Sequence, residues 1–172
     1  MTDMVGFVDP NHTGALGCGT PTERSKNLMN RFKNGTSDQI YLVPHNSSDH
    51  WTLSVVDPHL KKVYWLDPLK RRLSATSEWQ DVVHNGIKFY YTQKTKKSSR
   101  VSVEWIPLLG ILEQKDGKTC AYLVMCYMKD IIADMDLEFA TTWKTKQGLR
   151  YIPDQIDEVQ AEWAKQVLMF KV

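Results

Sequence analysis

A chain of 172 residues, 42% of them hydrophobic, has the length and the apolar content of one globular domain. Its 22 basic and 20 acidic side chains leave a net charge of only +2, which argues against a nucleic-acid-binding protein. The sequence contains no run of about 18 to 20 apolar residues, so it predicts no membrane-spanning helix.

The N-terminal part of the chain differs in composition from the rest. Residues 1–21 carry Gly, Pro, Thr and Asn without a clear hydrophobic period, and we expect them to form an irregular lead-in. We predict one domain over residues 22–172. Apolar residues at helical spacing predict a first helix at Glu23–Asn34. A short strand is predicted at Gln39–Val43, and Pro44 is expected to end it.

The middle of the chain has β character. Trp51–Val56 and Val63–Leu66 are apolar runs separated by a turn-like break, which predicts a hairpin. Both runs contain few charged residues, as is typical of strands that are covered on both faces. A helix is predicted at Ser77–Thr92 and a strand at Val101–Ile106.

The most apolar helix is predicted to begin at or next to Cys120, because the apolar residues from Val124 to Ile132 repeat at helical spacing. A last amphipathic helix is predicted to begin near Pro153. Strands and helices in this order predict an α+β domain with a mixed sheet and helices around it.

Three side chains occupy positions that suit a site for nucleophilic catalysis. His50 directly precedes a strand, Asp67 follows the next strand 17 residues later, and Cys120 opens the apolar helix. The dipole and the unpaired N–H groups of a helix N-terminus favour the thiolate form of a cysteine placed there. A histidine can take up the proton and return it, and a carboxylate can fix the tautomer of that histidine.

The cysteines also indicate the compartment. Cys18, Cys120 and Cys126 are an odd number without a CxxC spacing, and the N-terminus lacks the features of a secretory signal. We therefore expect reduced thiols in an intracellular protein of the nucleus or the cytoplasm. A cysteine is commonly a small buried hydrophobic residue, and this is our interpretation of Cys126.

Other interpretations of the polar residues stay open. Asp57 is a second candidate for the residue that orients His50. The basic run Lys70–Arg72 is typical of a solvated turn, and a nuclear address or a patch for an acidic partner is the alternative.

Four side chains that are close in sequence are the candidates for a metal site: His45, Asp49, His50 and His59. A catalytic zinc often takes two histidines from one helix turn, whereas these histidines flank a strand. We predict neither a metal nor another cofactor.

The same residues carry a resemblance to a known family. The segments HWTLSVVD and VYWLDPLKRR, and a Gln-x5-Cys spacing that leads into YLVMCYMKDI, resemble the ubiquitin-like-protein (SUMO) protease family, which has a papain-like fold. The resemblance covers about residues 23–170 and is especially close to plant members carried by transposable elements.

By this resemblance His50 would be the general base, Asp67 its orienting partner and Cys120 the nucleophile. Gln114 would donate its amide to the oxyanion, and Trp51 would cover a channel for a Gly-Gly tail. The resemblance implies cleavage after the Gly-Gly terminus of a SUMO-like modifier or its conjugates, without a metal or a cofactor. It implies neither a nucleic-acid nor a membrane partner.

The chain also departs from the family pattern. Ala121 stands where the family usually has Gly, Ile111 and Leu112 stand where it usually has Cys-Pro, and only 49 residues precede His50. These departures keep an alternative open, a catalytically weakened, transposon-derived domain that binds or regulates. The sequence predicts neither the oligomeric state nor which modifier is recognised.

Overall fold

The structure is a computed structural model, and it describes residues 4–14, 19–71, 77–96, 100–108, 111, 113, 118–134, 138, 140–141, 143 and 151–169. The described strands form one mixed sheet and follow one another in chain order: β1 (Val5–Phe7), β2 (Ile40–Ser47), β3 (His50–Asp57), β4 (Lys62–Leu66) and β5 (Glu104–Pro107). The β1–β2 and β4–β5 pairs are parallel, and the β2–β3 and β3–β4 pairs are antiparallel.

The helices with defined bounds are α1 (Pro21–Lys33), α2 (Ser77–Thr95), α3 (Cys120–Ala133) and α4 (Pro153–Met169), and a 3-10 helix spans Pro10–His12. α1 begins two residues earlier than predicted because Thr20 forms a capping box with Glu23 and Pro21 suits a first helical turn. Within the described ranges, no helix combines the length and the apolar character needed to cross a membrane.

Alternate residues of the strands point to opposite faces, so the sheet supports a core on each face. The first core joins the sheet to α1 and α2: Tyr41, Val43, Val56, Val63, Trp65, Leu28, Phe32, Trp79, Val82, Val83 and Ile87. The second joins it to α3: Ile40, Leu42, Leu53, Val55, Leu66, Leu123, Val124, Tyr127 and Ile131. The structure confirms the predicted α+β class, a mixed sheet with helices on both faces.

Residues 1–21 are less irregular than expected. Val5–Phe7 pairs in parallel with Ile40–Leu42 as β1, a short 3-10 helix follows, and Val8 and Thr13 are buried. A three-residue strand is too short to display a hydrophobic period. Its hydrogen-bond partner, β2, lies more than thirty positions away in the chain, so local sequence did not reveal it.

Two predicted strand ends were wrong. β2 continues through Pro44 to Ser47, because β1 pairs with β2 only as far as Leu42. A missing N–H at Pro44 therefore breaks no pairing with β1. β5 begins at Glu104, where pairing with Lys62 on β4 starts, and the predicted residues before it are not in a strand.

Candidate active site

The sheet brings His50 and Asp67 to one of its ends. β3 and β4 are antiparallel neighbours, and their pairing runs from Asp57 opposite Lys62 to Leu53 opposite Leu66. His50 begins β3 and Asp67 follows the last residue of β4, so both extend beyond the same end of the pairing. Two residues that are 17 positions apart in the chain thereby become neighbours.

The His50 ring makes a direct hydrogen bond to the Asp67 carboxylate. Nε2 of His50 lies 2.6 Å from Oδ1 of Asp67, and the two residues are only 5% and 2% exposed. An ionised carboxylate accepts hydrogen bonds but cannot donate them, so Nε2 carries the proton in this pair. Nδ1 of the neutral ring is then the nitrogen that can accept a proton.

Backbone amides hold the Asp67 carboxylate in place. The Leu69 N–H donates to Oδ1 at 2.8 Å, and the Arg71 N–H donates to Oδ2 at 3.3 Å. The Lys70 N–H donates to the backbone carbonyl of Asp67 at 2.8 Å, which closes the turn. The orientation of the carboxylate therefore does not depend on His50 alone.

These amide donors were not predicted from the sequence, although a signal for them is present. An Asp that directly follows a strand, with a Pro next to it, is typical of a turn in which the carboxylate accepts from the backbone two residues on. The segment Asp67–Pro68–Leu69 has this signature. The residue types alone would therefore have sufficed to predict the bond from the Leu69 N–H to the carboxylate.

Cys120 is the first residue of α3 and is 5% exposed. α3 packs on β3, the strand that His50 begins, and Leu123, Val124 and Leu53 belong to the same core. A hydrogen bond between the Cys120 thiol and the His50 ring is not among the contacts of the described residues.

Two further residues, Trp51 and Gln114, were predicted to belong to the site. Trp51 is half-buried and packs against the core beneath α3. Gln114 lies outside the described residues, although its neighbour Glu113 lies within them. The roles predicted for these residues stay predictions.

Asp57 does not compete with Asp67 for His50. It ends β3 at the opposite end of the strand, and its carboxylate accepts a hydrogen bond of 2.8 Å from the Leu60 N–H in the β3–β4 turn. Cys126 is buried within α3, and burial together with the nearby Asp130 carboxylate raises the pKa of its thiol to about 11. That environment fits a packing role for Cys126.

The histidines considered for a metal have separate surroundings. His50 is bonded to Asp67, and the His45 ring stacks on Trp79 at a centroid distance of 4.2 Å. Burial, together with the nearby Arg24 guanidinium, lowers the pKa of His45 to about 4. Within the part of the chain that the structure describes, no group of His, Cys, Asp or Glu side chains is arranged to hold a metal ion.

The chain is similar to one protein family and to several solved structures. The model of the Ulp1 protease family, C-terminal catalytic domain, matches residues 21–168. No curated protein matches the chain. A solved structure described as a de-sumoylating protease is similar, with a TM-score of 0.64 and 14% identity over 96% of this chain and 68% of that one.

Two further solved structures are similar. One is the C-terminal Ulp1 protease domain in complex with Smt3, the yeast ortholog of SUMO, with a TM-score of 0.53 and 18% identity over 79% of this chain and 60% of that one. The other is the SUMO protease Ulp1 with its catalytic cysteine oxidised to a sulfonic acid, with a TM-score of 0.52 and 19% identity over 79% of this chain and 61% of that one. At such identities the likeness shows the fold, which is of the papain-like class, and the chain spans about 60% of the length of these two structures.

Proposed function

This chain belongs to the Ulp1 protease family, and from that premise we propose that it is a thiol peptidase or isopeptidase that cleaves after the Gly-Gly terminus of a SUMO-like modifier. The observation that carries the proposal is the buried 2.6 Å hydrogen bond between His50 and Asp67. The similar Ulp1 domain was solved with Smt3, which supports a ubiquitin-like modifier as the partner.

The proposed reaction begins with the Cys120 thiol. Its proton passes to Nδ1 of His50, and the sulfur attacks the carbonyl carbon of the terminal glycine. Asp67 stabilises the imidazolium through the hydrogen bond at Nε2. Catalytic hydrogen bonds commonly tighten when substrate binds, and the approach of Cys120 to His50 is expected at that stage.

The tetrahedral intermediate carries its negative charge on the former carbonyl oxygen. The side-chain amide of Gln114 and the backbone N–H of Cys120 are the proposed donors to this oxyanion, and one such donor commonly contributes about 10²–10³ in rate. Collapse of the intermediate breaks the C–N bond, and the His50 proton passes to the leaving amine. Water then hydrolyses the thioester and regenerates the thiol.

The burial of Cys120 supports a slender substrate. The residue is 5% exposed, and a chain without side chains next to the scissile bond is best suited to approach so enclosed a thiol. A Gly-Gly tail has this property. Trp51, which follows His50 and is half-buried, is the proposed cover of the channel.

Ala121 is compatible with this proposal. It is the second residue of α3, where the backbone is helical and an added methyl group is favoured over the hydrogen of glycine. The departure from the family Gly therefore leaves the start of the helix intact.

A second candidate function is a modifier-binding domain without turnover. The observation that favours it is the enclosed Cys120, for which the described contacts include no hydrogen bond to His50. Such a domain would bind the modifier without forming a covalent product.

The test is covalent capture with a SUMO–vinyl sulfone probe, which traps a nucleophilic thiol. We expect capture by the wild-type chain, loss of capture in Cys120→Ser, and retention in Cys126→Ser, a matched substitution on the same helix. A ubiquitin–vinyl sulfone run in parallel separates a preference for SUMO from a preference for another modifier. Binding of SUMO without capture would support the second candidate, and capture that persists in Cys120→Ser would overturn the proposed nucleophile.

A further inference from the structure

The chain segments that follow β4 and β5 leave the sheet at the same end. The strands are parallel, with Trp65 opposite Pro107, and the Leu108 N–H extends the pairing by donating to the Trp65 carbonyl at 3.0 Å. Ile111, further along, is buried in the same core as Leu66. The segment after β5 is thus anchored beside the turn that follows β4.

An ion pair joins these two segments. Nζ of Lys70 lies 3.0 Å from Oε2 of Glu113. Lys70 belongs to the turn whose amides hold the Asp67 carboxylate, and Glu113 directly precedes Gln114 in the chain. One side of the pair therefore belongs to the turn that holds Asp67, and the other to the segment that follows β5.

We propose that Lys70 and Glu113 are positioning residues that hold the turn around the Asp67 carboxylate against the segment that follows β5, and so keep Asp67 aligned with His50. We call this ion pair the clasp. The inference rests on the proposed function for the role of the His50–Asp67 pair. The proposal gives a role to Lys70, the first residue of the basic run Lys70–Arg72.

The backbone of the turn indicates why a clasp is useful. Lys70 has a φ of 50°, a left-handed conformation that costs energy for a residue with a Cβ. Contacts around Lys70 must therefore maintain it. Among the described residues, Lys70 makes the turn hydrogen bond to the Asp67 carbonyl and the side-chain bond to Glu113. Release of the side chain removes one of these two contacts.

The solvent exposure of Lys70 and Glu113 limits the effect expected from loss of their ion pair. The side chains of Lys70 and Glu113 are 51% and 59% exposed, so water and salt screen their attraction. A pair of this kind alters an equilibrium by a factor of about 2 to 5. The clasp is expected to adjust the rate and not to abolish it.

The chain offers a matched control. Lys62 and Glu104 form a second exposed ion pair, at 3.9 Å, between the strands β4 and β5 themselves. This pair lies at the opposite end of β4, away from Asp67. Glu104→Gln therefore removes the same kind of charge from the β4–β5 strand pair without touching the proposed site.

The kinetic test compares Glu113→Gln with Glu104→Gln in cleavage of a SUMO precursor. We expect kcat to fall about 2- to 5-fold in Glu113→Gln with KM unchanged, and both parameters to stay at wild-type values in Glu104→Gln. At about 1 M salt the Debye length is about 3 Å, so the attraction between the two exposed side chains is largely screened. The wild-type kcat should then fall to the level of Glu113→Gln. The charge-swapped double variant Lys70→Glu with Glu113→Lys should recover most of the loss.

A second readout does not depend on turnover. Amide hydrogen exchange at Leu69 and Arg71, the donors to Asp67, should be faster in Glu113→Gln than in wild type and unchanged in Glu104→Gln. Unchanged exchange and unchanged kcat in Glu113→Gln would overturn the clasp. A wild-type chain that cleaves no modifier would defeat the proposed function instead, and the exchange rates alone would then decide whether the clasp holds the turn.

Discussion

Cys120 and Cys126 lie on the same helix and are both buried, but their electrostatic positions differ. Cys120 opens α3, beside the unpaired N–H groups of the first helical turn. Cys126 lies six residues, about 1.7 turns, further on, where burial and the Asp130 carboxylate raise the pKa of its thiol to about 11. Position along one helix thus separates the proposed nucleophile from a packing residue.

Thiol alkylation should reflect this difference. At pH 8 a thiol with a pKa of about 11 is ionised to only about one part in a thousand, so Cys126 should react slowly with iodoacetamide. Cys120 should react first, and peptide mapping by mass spectrometry identifies each modified cysteine, including Cys18. The labelling rate of Cys120 should be unchanged in Cys126→Ser. Faster alkylation of Cys126 than of Cys120 in the folded protein would contradict the assignment.

Asp67→Asn should reduce cleavage far more than it reduces stability. An amide in place of the carboxylate presents an N–H donor to Nε2 of His50 and favours the wrong tautomer, which commonly costs about 10²–10⁴ in kcat. The measurement is steady-state cleavage of a SUMO precursor, with circular dichroism to verify folding.

Asp57→Asn is the matched control for that prediction. Asp57 also ends a strand and also accepts from a turn amide, but it lies at the other end of β3 from His50. Its variant should cleave at the wild-type rate. Equal losses in the two variants would indicate a general effect of strand-end aspartates and not a role in orienting His50.

The stability of the fold should decrease in mild acid through His45. Burial, and to a smaller extent Arg24, lower the pKa of His45 from 6.5 to about 4. Above pH 6.5 the ring is neutral in both the folded and the unfolded chain, so it makes no pH-dependent contribution. As the pH falls from 6.5 to about 4, the unfolded chain binds a proton that the folded chain does not, and stability is lost.

The full loss from His45 is about 3 kcal/mol once the pH is below the folded pKa. His45→Phe keeps a ring against Trp79 but cannot titrate. Urea denaturation should therefore show a smaller decrease in the free energy of unfolding between pH 7 and pH 4 for this variant than for wild type. Identical decreases for the two proteins would show that His45 is not buried as described.

Gly86→Ala should destabilise the protein although alanine is the better helix former. A Cβ at this position would lie 3.0 Å from Leu28 Cβ and 3.3 Å from the Ser25 carbonyl oxygen on α1. Glycine permits the close approach of α2 to α1, and overpacking commonly costs about 1–3 kcal/mol. The measurement is the free energy of unfolding in urea.

Ala161→Gly on the exposed part of α4 provides the comparison. There glycine replaces alanine without a packing change, and the loss should be about 1 kcal/mol from helix propensity alone. Both variants should thus be less stable than wild type, for opposite reasons. An increase in stability for Gly86→Ala would mean that α1 moves away at no cost.

The elements that the sequence predicted well are those with a strong local pattern. α3 and the β3–β4 hairpin were recognised because apolar residues repeat at the period of a helix or fill a short continuous run, and such signals involve neighbouring residues only. The pairing of His50 with Asp67 followed from the hairpin, because antiparallel neighbours bring the start of one strand to the end of the next. The sequence also favoured Asp67 over Asp57, because Asp57 ends the strand that His50 begins and is therefore several residues of extended chain away from it.

What the sequence by itself determined is the order of strands and helices, the hairpin that brings the His50–Asp67 pair together, and the cysteine at the start of the apolar helix. What only the tertiary structure decided are the pairing of β1 with β2, the passage of β2 through Pro44, and the clasp between Lys70 and Glu113. The physical reason is separation along the chain. These contacts join segments that carry no common periodicity, and they form only when the sheet places one segment beside the other.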